Sequence, residues 1–115
     1  MSPLAEAVYG FLRVRPVLAE PRITYAELAR MLRDVSEQFE TISHRSRELY
    51  AALDEVGRAC RRLKLPPLPA LVVRADTKRP GAAYYGERTT VNRGDAIAAW
   101  RQDLEAVKGT VYPAR

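Results

Sequence analysis

The chain has one cysteine and one histidine, Cys60 and His44. They are the side chains best suited to nucleophilic or acid–base chemistry. A reactive thiol needs a lowered pKa and access to solvent. Cys60 instead falls on the same stripe as Leu53, Val56 and Leu63, so it reads as a small buried hydrophobe. A histidine base needs a group to act on and a group to orient it. His44 has no serine–acid arrangement around it and reads as a helix-start or surface residue. One cysteine excludes an internal disulfide, and one histidine leaves no Cys/His set for structural zinc. The sequence contains no glycine-rich phosphate loop and no metal motif. Asp54-Glu55 and Glu37/Glu40 are spaced as solvated helix faces. These residues argue against an enzyme and predict neither a cofactor nor a metal.

The other chemistry open to this chain is ion pairing with a polyanion. Its 19 Lys/Arg exceed its 14 Asp/Glu by five charges, and its pI is near 9.7. The excess is local. Residues 45–79 hold nine Lys/Arg and four Asp/Glu, whereas residues 1–44 hold five and six. A localised basic region is the expected footprint for nucleic acid. The candidate contacts are Arg47, Arg58 and Arg62 on a helix, and Arg74, Lys78 and Arg79 in a hairpin. Tyr85 joins them as a ring that could stack on a base. Each has a plainer reading. Arg61, Arg62 and Lys64 sit where cations complement a helix C-terminus, and Lys78 and Arg79 could be a solvated turn. Tyr84 and Tyr85 would face opposite sides of a strand, leaving one of them in the core.

Holding those cations in place requires helices and one strand pair. Ser2 can cap a first helix with Pro3 at its first position, running to about Val14 on Leu4, Val8, Phe11 and Leu12. Pro16 and Pro21 bracket a connection. Thr24 and Glu27 form a capping box with Ile23 and Leu28 as its hydrophobic staple, starting a short helix from Tyr25 to about Arg33. Residues 34–43 read as a turn and one irregular helical turn. A long helix follows from about Ser43 to Lys64 on Leu49, Leu53, Val56, Cys60 and Leu63. Pro66, Pro67 and Pro69 stop it. Ala70 to Ala75 reads as a strand, Asp76 to Gly81 as a turn with Pro80-Gly81 at its centre, and Ala82 to Tyr85 as the returning strand. Asn92 caps a last helix from Arg93 to about Lys108, with Trp100 on its apolar stripe and Gly109 at its end.

Thr24-Tyr-Ala-Glu-Leu-Ala29 resembles the Thr-Tyr-Gly-Glu-Leu-Ala start found in the DNA-binding domain of alkylguanine alkyltransferases and alkyltransferase-like proteins. Pro66 to Val73 resembles their proline-rich approach to a Val-Val strand, and Asp76 to Tyr84 their Gly-Gly-Tyr hairpin. The resemblance spans residues 24–108 and implies a winged helix-turn-helix that binds DNA. In that family a cysteine in Pro-Cys-His-Arg accepts the alkyl group. Here the equivalent stretch is Leu68-Pro-Ala-Leu-Val-Val73. Ala70 stands at the cysteine position and the His-Arg pair is absent, so alkyl transfer is not implied.

The sequence therefore predicts one α+β domain, mainly α, with four or five helices and one β-hairpin, winged helix-turn-helix-like. Its parts are an N-terminal helix and connection (1–22), a helical core (23–64), a proline-rich turn and hairpin (65–86) and a closing helix (92–108). The expected function is non-enzymatic binding of nucleic acid, duplex DNA first, through a basic helix and a wing. The rival is a protein-interaction module or accessory subunit, as of a mobile element or phage. A homodimer fits either reading. A positive surface joining Arg58, Arg62, Arg74, Lys78 and Arg79 would favour nucleic acid, and an apolar patch around 34–43 a protein partner. No apolar run is long enough to span a membrane and no signal peptide is legible, so a cytoplasmic location is expected.

Overall fold

The computed structural model describes residues 1–85 and 93–114. Among these residues lie five α-helices: α1 (Pro3–Leu12), α2 (Tyr25–Val35), α3 (Arg47–Arg62), α4 (Ala82–Tyr85) and α5 (Arg93–Val107). Two short strands, β1 (Ile23–Thr24) and β2 (Val72–Val73), pair in parallel, with Ile23 opposite Val72 and Thr24 opposite Val73. The architecture is α+β and mainly α, as the sequence predicts.

Local chemistry fixes most helix starts. Ser2 Oγ accepts the Ala5 N–H at 3.1 Å, with Pro3 as the first residue of α1. Thr24 Oγ1 accepts the Glu27 N–H at 3.1 Å, and Glu27 Oε1 accepts the Thr24 N–H at 3.3 Å. Each residue thus satisfies a backbone donor of the other. Those bonds also hold the Glu27 carboxyl below its ordinary range. The long helix begins at Arg47 rather than Ser43. Ser43 and Ser46 form a turn first, with the Ser43 N–H donating to Ser46 Oγ at 2.8 Å and the Arg45 N–H to Ser43 Oγ at 3.2 Å. Between α2 and α3 lies one turn of 3-10 helix, Glu37–Phe39. The expected Asn92 cap lies outside the described residues.

At its far end α3 closes in a Schellman motif. The Leu65 N–H reaches the Cys60 carbonyl at 2.9 Å and the Lys64 N–H the Arg61 carbonyl at 3.0 Å. Lys64, at φ 58°, takes the left-handed position that glycine usually fills. Leu63 is therefore not the last residue of the buried stripe. It lies where the chain leaves the helix, and 54% of it is exposed.

The core forms around the 3-10 turn Leu68–Leu71, in which Leu68, Ala70 and Leu71 are fully buried. α1, α3 and α5 all pack on this turn. Their buried face includes Val8, Leu12, Leu49, Val56, Cys60 and Val107, each large aliphatic stabilising by roughly 1.5–3 kcal/mol. The Trp100 indole N–H donates to the Ala70 carbonyl at 2.9 Å and ties α5 to the turn. Gly109, at φ +78°, ends α5 as predicted, and its N–H donates to the Pro16 carbonyl at 3.1 Å. Tyr112 then donates to the Pro66 carbonyl, and Tyr9 to that of Pro113, both at 2.6 Å. Among the described residues no helix is long and apolar enough to cross a membrane.

The β-hairpin is not formed. Val72 and Val73 do make a strand, but its partner is β1 rather than residues 82–85, which are helical. Both valines are buried. A strand buried on both faces suits an interior parallel pairing, whereas a hairpin wing would have left one face in water. The turn also moves. Residues 74–79 close on themselves through Lys78 N–H to Arg74 O at 2.9 Å and Arg74 N–H to Arg79 O at 2.8 Å. Lys78 supplies the left-handed residue at φ 60°, the role expected of Gly81.

Candidate nucleic-acid interface

The seven candidate residues fall into two groups. Arg47, Arg58 and Arg62 share the outward face of α3 and are exposed. Arg47 and Arg62 open and close the helix, so they stand about 22 Å apart along it at 1.5 Å per residue. Arg58 forms an ion pair with Asp54 one turn earlier, while Arg47 and Arg62 have none among the described residues. Arg74, Lys78 and Arg79 belong to the loop that follows β2, and Tyr85 ends α4 beyond it. Arg74, Arg79 and Tyr85 together line a cavity of about 330 Å³ with Thr77 and Ile97. Lys78 is exposed and carries no ion pair among the described residues.

Arg74 is not free in the way its sequence position suggests. Its guanidinium donates twice to the Asp76 carboxylate, at 3.0 and 2.8 Å. That bond, with a second from the Thr77 N–H at 2.8 Å, holds the Asp76 carboxyl below its ordinary range. The pair stiffens the loop, leaving Lys78 and Arg79 as its uncompensated cations. Tyr85 stacks edge-on against Tyr84, with ring centroids 5.6 Å apart. Both are half-buried, so the expected split into one core and one solvent tyrosine does not hold, because the two follow each other on a helical turn.

The structure adds residues that the sequence reading left out. Two grooves meet at Tyr25 and Tyr50. One, of about 530 Å³, is lined by both rings and by Asp54, Gly57, Arg61, Pro67, Pro69, Tyr84 and Asp103. The other, of about 600 Å³, runs between the starts of α2 and α3 and the loop, past His44, Arg45, Arg74 and Asp76. The Tyr25 and Tyr50 rings lie 5.4 Å apart and tilted. Tyr25 is buried, and its hydroxyl accepts the Gly81 N–H at 2.9 Å. Burial pushes its pKa up to about 12. The Tyr50 hydroxyl donates to the His44 carbonyl at 2.8 Å. Tyr25 and Tyr50 stand 25 positions apart, and no periodicity links them. The available signal was the count of six tyrosines.

The carboxylates on these grooves are engaged. Asp54 holds Arg58, Asp76 holds Arg74, and Asp103 accepts the Tyr84 hydroxyl. Arg45 and Arg61 make no ion pair among the described residues, and they sit at opposite ends of the joined grooves. Of the expected positive surface, Arg58 and Arg62 lie on α3 and Arg74, Lys78 and Arg79 in the loop after β2, while Arg45 and Arg61 line the grooves. Around 34–43 there is no apolar patch of note: Phe39 and Ile42 are buried and Val35 alone is exposed.

Cys60 is buried beneath α3 with 1% of its surface accessible, and burial pushes its thiol pKa up, away from the nucleophilic form. Ala70 is fully buried as well. Compared with known proteins, the chain matches no family model, no curated protein and no solved structure.

Proposed function

We infer that this chain is a small nucleic-acid-binding domain without an enzymatic centre, holding its partner mainly through phosphates. One observation carries the reading. The basic excess of residues 45–79 leaves Arg45, Arg61 and Arg79, without ion pairs among the described residues, lining cavities that tyrosines also line, and Lys78 exposed beside Arg79. Cations that neutralise phosphates and rings that accept bases are the two parts such binding needs. The deciding experiment is fluorescence anisotropy with labelled duplex and single-stranded DNA at two salt concentrations. Binding that weakens steeply with salt supports the reading. Absence of binding to both at low salt rejects it.

A second reading, a protein-interaction module, has its own observation. Val14, Val17, Leu18 and Val111 are 51%, 72%, 47% and 82% exposed. The Gly109 bond to Pro16 brings the tail and the 13–22 connection to the same junction. Arg15 stiffens that connection through bonds to the Pro21 and Arg22 carbonyls at 2.8 and 3.0 Å. An ordered loop presenting apolar side chains is a fair docking surface. Sedimentation of the protein alone, and again with Val17→Ser, tests whether the surface joins two copies.

A further inference from the structure

We propose that the joined grooves are a track for single-stranded nucleic acid, with bases against Tyr50 and Tyr84 and phosphates held at Arg45 and Arg61. The proposal rests on the nucleic-acid reading above and names the form of the partner. A basic hairpin could have entered a duplex groove, but the basic loop 74–79 is closed on itself and does not project as a strand pair. The structure offers a recess instead. Its two parts, of about 530 and 600 Å³, share Tyr25 and Tyr50.

The floor and the walls differ in a way that suits an unpaired strand. Tyr25 is buried, and its hydroxyl is occupied by the Gly81 N–H, so it supports the floor. Tyr50 and Tyr84 are half-buried and line the recess beside Pro67, Pro69 and Gly57. Every base has a π-face, so stacking on such rings tolerates any sequence. The hydroxyls of Tyr50 and Tyr84 are engaged by the His44 carbonyl and by Asp103. This fixes the orientation of both rings. Stacked base pairs inside a duplex would have no free face to offer them.

The charge pattern points the same way. Of the three carboxylates lining the recess, Asp54 and Asp76 are paired with Arg58 and Arg74, and Asp103 accepts the Tyr84 hydroxyl while keeping its charge. The cations left over are Arg45 before α3 and Arg61 in its last turn. At 1.5 Å per residue, Arg61 lies about 21 Å along the axis from the helix start. An extended strand of several nucleotides covers that span. A proline-rich peptide is the other ligand that tyrosine grooves take, but here the net uncompensated charge is positive, which favours a polyanion.

The test compares a fluorescein-labelled oligothymidylate with a duplex of equal length on the intact protein. The single strand is expected to bind more tightly. Tyr50→Leu should weaken it by about 5- to 100-fold, the range for losing one stacked base, and Tyr50→Phe, which returns the ring, should recover it. Arg61→Ala changes an exposed side chain, so it keeps the test valid even where Tyr50→Leu impairs folding. It should reduce the single-strand salt slope by about 0.7. Equal or tighter duplex binding, indifferent to both positions, overturns the track and leaves the nucleic-acid reading standing. Failure to bind either nucleic acid removes that reading itself. A proline-rich peptide that binds with the same Tyr50 dependence and displaces the strand would also overturn the proposal.

Discussion

Lys78 combines two properties that substitution can separate: an exposed charge and a left-handed backbone at φ 60°. The conformation is held by its own N–H on the Arg74 carbonyl at 2.9 Å and by the Arg74 N–H on the Arg79 carbonyl at 2.8 Å. For a residue with a Cβ, the left-handed region costs about 1–2 kcal/mol. Glycine removes that cost but loosens the unfolded chain, which returns about 0.4–1 kcal/mol. Lys78→Gly should therefore be more stable than Lys78→Ala by about 0.5–1 kcal/mol, since alanine keeps the strain. The charge is lost equally in both. If Lys78 neutralises a phosphate, each variant should lower the log–log salt slope by about 0.9 for duplex DNA or about 0.7 for a single strand. The assays are urea denaturation and anisotropy titration across salt. A variant that gains stability while losing affinity cannot be explained by a collapsed loop. Identical denaturation midpoints would refute the left-handed geometry, and unchanged slopes would remove Lys78 from the interface.

Four further outcomes are expected. Thr24→Ala should destabilise by about 1 kcal/mol, because it removes the cap and leaves Glu27 without its partner; an unmoved urea midpoint would contradict this. Trp100→Phe should cost about 2–4 kcal/mol, from lost volume and an orphaned Ala70 carbonyl, read as the midpoint of thermal unfolding. Stability should begin to fall above about pH 8.5, the ordinary thiol value, because burial raises the Cys60 pKa, and should fall further from about pH 10, the ordinary tyrosine value, toward about 12. Tyr25 has its folded pKa raised to about 12 by burial, and Tyr112 is raised by the same cause. A raised folded pKa gives stability that disappears on deprotonation, and a flat urea profile across that range would show otherwise. Cys60 should react with a thiol reagent only on unfolding, and no alkyl group should pass to the protein from O6-alkylguanine DNA, as a mass measurement would show.

The parts legible in the sequence are those decided within a turn or two of helix. The Thr24–Glu27 box needs only residues three apart, and both of its bonds are present. The apolar stripe of α3 is likewise local, and Leu49, Leu53, Val56 and Cys60 are all buried. Leu63 continues the spacing but not the burial. The helix had already turned at Lys64, so Leu65 packs inward in its place. The hairpin was misread for a different reason. Which strand Val72–Val73 pairs with depends on Ile23, far away in sequence and brought near by the capped start of α2. Alternating turn and apolar residues cannot encode that choice. The same limit hid the grooves, whose walls come from α2, α3, the proline turn, α4 and α5.

The proline turn links fold and function more directly than any single cation. Leu68, Ala70 and Leu71 point into the core, while Pro67 and Pro69 line the tyrosine groove. Proline fixes its backbone angle, so one short segment sets the depth of the core and the wall of the recess together. The Pro69 ring packs beside Gly57, where a Cβ would sit in ordinary contact at 3.6 Å. Ala70, the position where the resembling family carries its reactive cysteine, has no accessible surface and gives its carbonyl to Trp100. A nucleophile at this point in the fold would face packed side chains rather than substrate. This segment is a rigid support between the core and the tyrosine groove.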